Sequence, residues 1–164
     1  MYHKCTHDTS KSRILTDFCK DSGTIRCVVA TVAMGMGVDI PDIDMVVHIG
    51  CPKSVISYWQ EAGRCARDGR QGFSLVMYDN FTASLKTTDK AMKAIVLNED
   101  TNCLRSQILK TLSLGNEKQS QCKPCKGCDL PICECEACKC CSVCGEKCRC
   151  SKNRSLTIES FISP

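Results

Sequence analysis

Twelve of the seventeen cysteines in this chain fall between positions 103 and 150, and no other feature limits its folding so sharply. A segment that dense in thiols is held together either by disulfides or by metal. The chain opens with no positively charged, apolar-cored signal peptide, and it has no run of about 18 apolar residues fit to span a bilayer. A reducing, intracellular setting without membrane contact is therefore expected, and in it these cysteines read as metal ligands. Cys5, Cys19, Cys27, Cys51 and Cys65 are scattered singly and read as small apolar residues.

The 164 residues, 43% apolar, allow one domain of ordinary size and a small appendage. The net charge of +4 lies entirely after residue 100. A basic tail ordinarily points to nucleic acid. Here the surplus is offset by the metal itself, because each tetrathiolate zinc centre carries a charge of about −2.

Periodicity sets the coarse architecture. Ile14, Leu15 and Phe18 recur at helical spacing over residues 10–19, and Asp21-Ser22-Gly23 stops that helix. Residues 26–31 form a short β-branched run suited to a strand buried on both faces. Residues 45–49 and 72–78 give two more strands, with a helix over 55–64 between them. Strands alternating with helices predict βαβ units and a parallel sheet, whose ligands collect at the carboxyl ends of the strands. The segments after Thr31 and after Ile49 are expected there. Two further helices are predicted over 86–97 and 103–114, the second with Leu104, Ile108, Leu109 and Leu112 on one face. Beyond Gly115 the pattern gives way to cysteine.

Within this frame two strings carry chemistry. Ala30-Thr31-Val32-Ala33-Met34-Gly35-Met36-Gly37-Val38-Asp39 is followed by Gln60-Glu61-Ala62-Gly63-Arg64-Cys65-Ala66-Arg67-Asp68-Gly69. Arg64 and Arg67 place two guanidinium groups three positions apart near a helix end, with Gln60 a turn earlier. Guanidinium suits bidentate contact with phosphate and stays charged when desolvated. Taken alone, the two arginines also fit solvated surface residues paired with Glu61 or Asp68. The paired strings resemble the last two motifs of RecQ-type DNA helicases, which lie in the second RecA-like lobe of those ATP-driven motors.

That resemblance implies an α/β fold, namely a RecA-like lobe with a parallel sheet, a small helical zinc-binding subdomain and a Cys-rich tail. It assigns Arg67 as the arginine finger on the γ-phosphate, Arg64 as a second phosphate or lobe-coupling contact, and Gln60 as the link between ATP state and lobe closure. Gly35 and Gly37 match glycines of a tight loop, and Asp39 matches an acidic position near the nucleotide ribose. Thr31 matches a contact to the DNA backbone, and His3 matches the histidine of a Tyr-His pair ending an upstream strand. Two departures stand out: Cys65-Ala66 replaces the Ala-Gly usual between the arginines, and Met34 replaces an aromatic. The implied cofactors are ATP with Mg2+ and Zn2+; the implied partners are DNA and a first helicase lobe, in the nucleus. Neither a Gly-x-x-x-x-Gly-Lys-Ser/Thr phosphate loop nor an Asp-Glu-x-His box occurs in the sequence, so by itself the chain is expected to be half a motor without ATPase activity. A non-enzymatic DNA- or zinc-binding module and the second lobe of an RNA helicase are the alternatives.

The family's zinc subdomain uses one helix-borne cysteine and a later Cys-x2-Cys-x2-Cys. The resemblance therefore implies Cys103 with Cys122, Cys125 and Cys128, with Cys138, Cys141 and Cys144 as an alternative triplet of the same spacing. Four thiolates and no open position make a structural zinc site. The remaining cysteines are expected to bind a second zinc, to form a multi-metal cluster or to stay an unstructured tail. Expected domain limits are 1–84 for the lobe, 85–130 for the zinc subdomain, 131–150 for a Cys-rich extension and 151–164 for a flexible tail.

Overall fold

The computed structural model describes residues 1–31, 40, 43–99, 101–113, 122–123 and 135–150. The chain divides into two compact units, Met1–Thr88 and Asp89–Pro164.

In the first unit, helix α1 spans Asp8–Phe18, its first turn made acidic by Asp8 in keeping with the helix dipole. The Asp17 carboxylate folds the following turn back, accepting hydrogen bonds from Thr24 N at 3.0 Å and Ile25 N at 2.8 Å. Strands β1 (Met45–Ile49) and β2 (Phe73–Met77) are parallel neighbours, in register from Met45↔Phe73 to Ile49↔Met77. Helix α2 (Val55–Ala62) crosses between them, completing the expected βαβ unit. Ser54 fixes its start by accepting from Ser57 N at 3.1 Å, a side-chain N-cap. Val55 at its first turn is buried, as are Tyr2, Ile40 and Ala83, whereas Ile49 and Phe81 are exposed.

Three expectations need correction. The run 26–31 contributes a single parallel bridge, Tyr2↔Ala30, and Val29 is exposed. A strand buried on both faces needs a packing layer over each, which the exposed Val29 lacks, and Tyr2 is the one bridge partner of this run among the described residues. The helix expected over 86–97 starts four residues later, as α4 (Lys90–Leu97), and a short helix that was not expected, α3 (Asn80–Ser84), precedes it. Each has its own aspartate cap: Asp79 forms a capping box with Thr82, and Asp89 accepts from Met92 N. Finally, α2 begins at the carboxyl end of β1 but runs back alongside the sheet. Its trailing turn reaches the amino edge, where Ala66 N donates to Ile43 O at 2.8 Å. The two arginines therefore sit at the opposite edge of the strands from the one expected.

In the second unit, α4 packs on α5 (Leu104–Leu112), burying Met92, Ile95 and Ile108. Asn98, in a left-handed conformation, closes the turn between them; its Oδ1 accepts from Asn102 N at 3.1 Å and Gln107 Nε2 at 2.7 Å. Two short helices follow, α6 (Glu136–Cys140) and α7 (Ser142–Lys147), in the stretch where sequence periodicity had vanished. Lys147 Nζ donates to Thr101 O at 2.6 Å, tying the end of α7 to the turn that precedes Cys103. No helix among the described residues is long and apolar enough to cross a membrane.

Candidate nucleotide and metal sites

The arginine segment is a helix end continued by tight turns. Gly63 N bonds back to Trp59 O at 2.9 Å, Arg64 N to Glu61 O at 3.2 Å and Cys65 N to Ala62 O at 3.0 Å. Arg64 is half-buried and Arg67 exposed; Arg67 Nε donates to Gly63 O at 3.3 Å. Arg70 pairs with two carboxylates: its Nε lies 2.5 Å from Asp68 Oδ2, and its Nη1 lies 3.1 Å from Asp44 Oδ1. The Arg70 guanidinium holds the Asp68 carboxyl below its usual range. Gln60 is exposed one turn before Arg64.

The substitutions between the arginines have structural consequences. Cys65 Sγ donates to Asp44 O at 3.2 Å and to Phe73 O at 3.1 Å, so one thiol spans the starts of both strands. Burial pushes its pKa up, against a smaller lowering effect of the Phe73 and Val46 backbone. Ala66 has a φ of +53°, in the left-handed region that favours glycine. Gly72 packs against this corner, where an added Cβ would meet Ala66 Cβ and Cys65 Sγ, each at 2.8 Å.

Sequence reasoning missed a buried histidine beneath α2. His48 Nε2 lies 2.9 Å from Glu61 Oε2, and the ring sits 5.2 Å from that of Tyr58. Neither ring nitrogen has a well-aligned hydrogen-bond partner, so the contact with Glu61 is one of proximity. A continuous apolar strand, Met45 to Ile49, interrupted by histidine was the signal.

The two residues assigned to nucleic acid come together. The Tyr2↔Ala30 bridge and the hydrogen bond from Thr31 N to Tyr2 O at 3.1 Å bring His3 and Thr31 out of one parallel pairing side by side. His3 Nδ1 accepts from Cys5 N at 3.1 Å. Gly35, Gly37 and Asp39 lie outside the described residues.

In the second unit, Cys103, Cys122, Cys140 and Cys144 converge, every Sγ lying within 4.8 Å of the others. Cys103 caps α5 and its Sγ accepts from Ser106 N at 3.4 Å. Its distances to Cys140 and Cys122 are 3.6 and 3.9 Å, and Cys122 to Cys140 is 3.0 Å. A tetrahedral zinc with bonds of about 2.3 Å separates its sulfurs by about 3.8 Å, whereas a disulfide needs about 2.05 Å. The two distances from Cys103 match that tetrahedral edge, the Cys122–Cys140 distance is shorter than it, and none approaches the disulfide length; four converging thiols are a donor set suited to tetrahedral zinc. Burial raises the Cys140 and Cys144 thiols, with further increments from Cys122 and Cys103 on Cys140 and from Cys103 and Cys141 on Cys144. A dication reverses that preference and holds such thiols as thiolates.

Cys103 and Cys122 were expected to meet; Cys140 was missed, and Cys125 and Cys128 lie outside the described residues. The alternative triplet is not gathered as a set. Cys144 joins Cys103, Cys138 joins Cys135 and Cys148, and Cys141 is in neither group. Cys138 and Cys140 are two positions apart on α6, about 200° around the helix axis, so they face opposite ways.

Comparison with known proteins places these sites in a class. Residues 1–69 match the family described as the helicase conserved C-terminal domain, so the α/β unit with the arginine segment is a helicase C-terminal domain. Within that class the chain is related to the RecQ-type DNA helicases. It is 37% identical over 117 residues to the ATP-dependent helicase wrn-1 of Caenorhabditis elegans, covering 70% of this chain and 11% of that protein. It is 33% identical over 146 residues to the ATP-dependent DNA helicase hus2/rqh1 of Schizosaccharomyces pombe, covering 79% of this chain and 11% of that protein. Both shares exceed the first unit, so both alignments run into the second. A putative ATP-dependent RNA helicase, R290, of Acanthamoeba polyphaga mimivirus is 38% identical over 79 residues, covering 48% of this chain and 14% of that protein. The chain spans about a tenth of the length of the first two relatives.

Proposed function

We propose that this chain supplies the second RecA-like lobe and the zinc subdomain of an ATP-dependent 3′-to-5′ DNA helicase of RecQ type, acting in the nucleus in DNA repair, recombination or replication. The observation that carries the reading is the pairing of a helicase C-terminal match over residues 1–69 with a four-thiol group on the segment that follows. A helicase lobe alone fits DNA and RNA motors equally, and the thiol group favours the RecQ class over the RNA helicase reading.

In this reading ATP with Mg2+ is shared with a first lobe, and each exposed or half-exposed polar group of the arginine segment has a task. Arg67 meets the charge that develops as the γ-phosphoryl group leaves. Arg64 holds a second phosphate contact or couples the lobes, and Gln60 reports the nucleotide state. Gly35, Gly37 and Asp39 contribute the loop near the nucleotide, while Thr31 and His3 follow the DNA backbone. Cys103, Cys122, Cys140 and Cys144 hold a zinc whose role is structural: it joins the start of α5 to α6 and α7.

The test fuses this chain to a compatible first lobe. Arginine fingers contribute on the order of 10³ to 10⁵ in rate, so Arg67→Ala is expected to cut ATP hydrolysis and unwinding at least about a hundredfold, leaving ATP affinity within several-fold. Arg67→Lys fails almost as fully because an ammonium lacks the planar fork. Near-normal turnover in Arg67→Ala together with its loss in Arg64→Ala would reverse the two roles. DNA-stimulated hydrolysis by the unfused chain would overturn the division of labour between lobes.

A further inference from the structure

We propose that Cys135, Cys138, Cys148 and Cys150 form a second structural zinc site, separate from the Cys103 group and sharing helix α6 with it. Cys135 caps α6, its Sγ accepting from Cys138 N at 3.4 Å and lying 3.6 Å from Cys148 Sγ. The Sγ atoms of Cys135, Cys138 and Cys148 all lie within 4.8 Å of one another. These separations are near the tetrahedral edge of about 3.8 Å and far from the disulfide length of about 2.05 Å. Cys138 and Cys148 are 5% and 1% exposed. Cys150 packs against the same cluster and supplies the fourth thiol, in a Cys-x-Cys pair with Cys148.

The bland alternative is that these are core residues. The buried cluster contains Ala137, Cys138 and Cys148, with partly buried Cys122, Cys135, Cys144 and Cys150 around it; Ala137 is its one member without a thiol. Helices of five and six residues are far too short to persist unaided, because nucleation outweighs so few hydrogen bonds. Among the described residues, a methyl group and a set of thiols bury too little apolar surface to make up the deficit. Cross-linking by metal supplies what the core lacks.

Helix α6 explains how one short segment serves two centres. Cys138 and Cys140 leave it in opposite directions, one into each group. Helix α7 repeats the division, with Cys144 in the first group and Cys148, at its end, in the second. Each zinc enters as the dication and displaces four thiol protons to solvent, leaving a centre of charge about −2. Two such centres neutralise the +4 carried after residue 100.

The full chain is purified under reducing conditions and its zinc content per chain measured by plasma mass spectrometry. Wild type is expected to hold two zinc ions, and Cys141→Ser to keep both. Cys138→Ser and Cys150→Ser are each expected to hold one. One zinc, or three or more, in the wild type overturns the proposal, as does a count of two in Cys150→Ser. Because α6 is shared, Cys138→Ser can lose both ions by unfolding; Cys150→Ser, beyond α7, then decides, one ion supporting a separate site and none refuting it. Cys140→Ser reads the first site independently: a count of two there, with one in Cys150→Ser, refutes the Cys103 group and leaves the second site standing.

Discussion

Ala66→Gly should make the first unit more stable, against the usual direction for a glycine substitution. Ala66 holds a φ of +53°, where an L-residue's Cβ crowds the following carbonyl at a cost of about 1–2 kcal/mol. Its amide and carbonyl are both committed, to Ile43 O at 2.8 Å and from Gly69 N at 3.1 Å, so the backbone cannot relax without losing the link to the sheet. Glycine removes the strain, while the greater freedom it gives the unfolded chain returns about 0.4–1 kcal/mol. At mid-range a net gain of about 0.8 kcal/mol follows, which raises Tm by about 3–6 °C for a unit of this size. Trp59 is the sole tryptophan and lies on α2, so its fluorescence during urea or thermal unfolding reports on this unit. Ala66→Val provides the opposite arm: a β-branched side chain in the left-handed region is expected to lower the midpoint. A glycine variant no more stable than wild type, or less, would refute the strain argument.

Other outcomes follow from the same corner and from the carboxylates. Gly72→Ala places a methyl 2.8 Å from both Ala66 Cβ and Cys65 Sγ and should cost about 1–3 kcal/mol by overpacking; urea midpoints should show part of that loss restored in the double variant with Ala66→Gly, and strict additivity would show that the two sites do not touch. Asp17 and Asp79 are held below their ordinary carboxyl value of 3.8, Asp17 chiefly by the Ile25 amide and Asp79 by the Thr82 amide. Carboxyls depressed in the folded state stabilise it above the unfolded value and lose that contribution as pH falls through the folded one. Fluorescence-monitored acid unfolding below about pH 4 should accordingly be less steep in Asp17→Asn than in wild type, and identical profiles would discount the turn that Asp17 organises.

The sequence disclosed most clearly what local chemistry decides. β1, α2 and β2 announce themselves through β-branched runs and the Ser54 cap, and each lies within two residues of its expected limits. The unexpected α3 and the later start of α4 were also written in the chain, as the Asp79-x-x-Thr82 and Asp89-x-x-Met92 caps that helical periodicity alone overrode. The fate of 26–31 was not legible, because apolar content states what a strand prefers and leaves open which neighbours cover it. Direction along α2 was misjudged for a related reason: the motif's attachment to β1 fixes where the helix starts, and its length decides which edge its end reaches. In the cysteine segment, repeated spacing offered interchangeable triplets. The choice between Cys138 and Cys140 as companions of Cys103 depends on which way each thiol leaves a five-residue helix, and spacing does not encode that.

The chain order of the first thiol group has a consequence for how the protein is made. β1, α2 and β2 lie between residues 45 and 77, so these elements are all made before the cysteine segment. Cys103 emerges next but meets Cys140 and Cys144 only after some forty further residues. The entropic cost of closing so long a loop grows slowly with its length; the delay is the greater burden. Until residues 140 and 144 have been added, Cys103 and Cys122 lack the other two thiols of the group of four, and stand as unprotected thiols open to sulfenic acid or to mispairing. With the proposed zinc at this group, its supply during translation, more than the stability of the finished fold, governs how much of the chain reaches its reduced, metal-bound form.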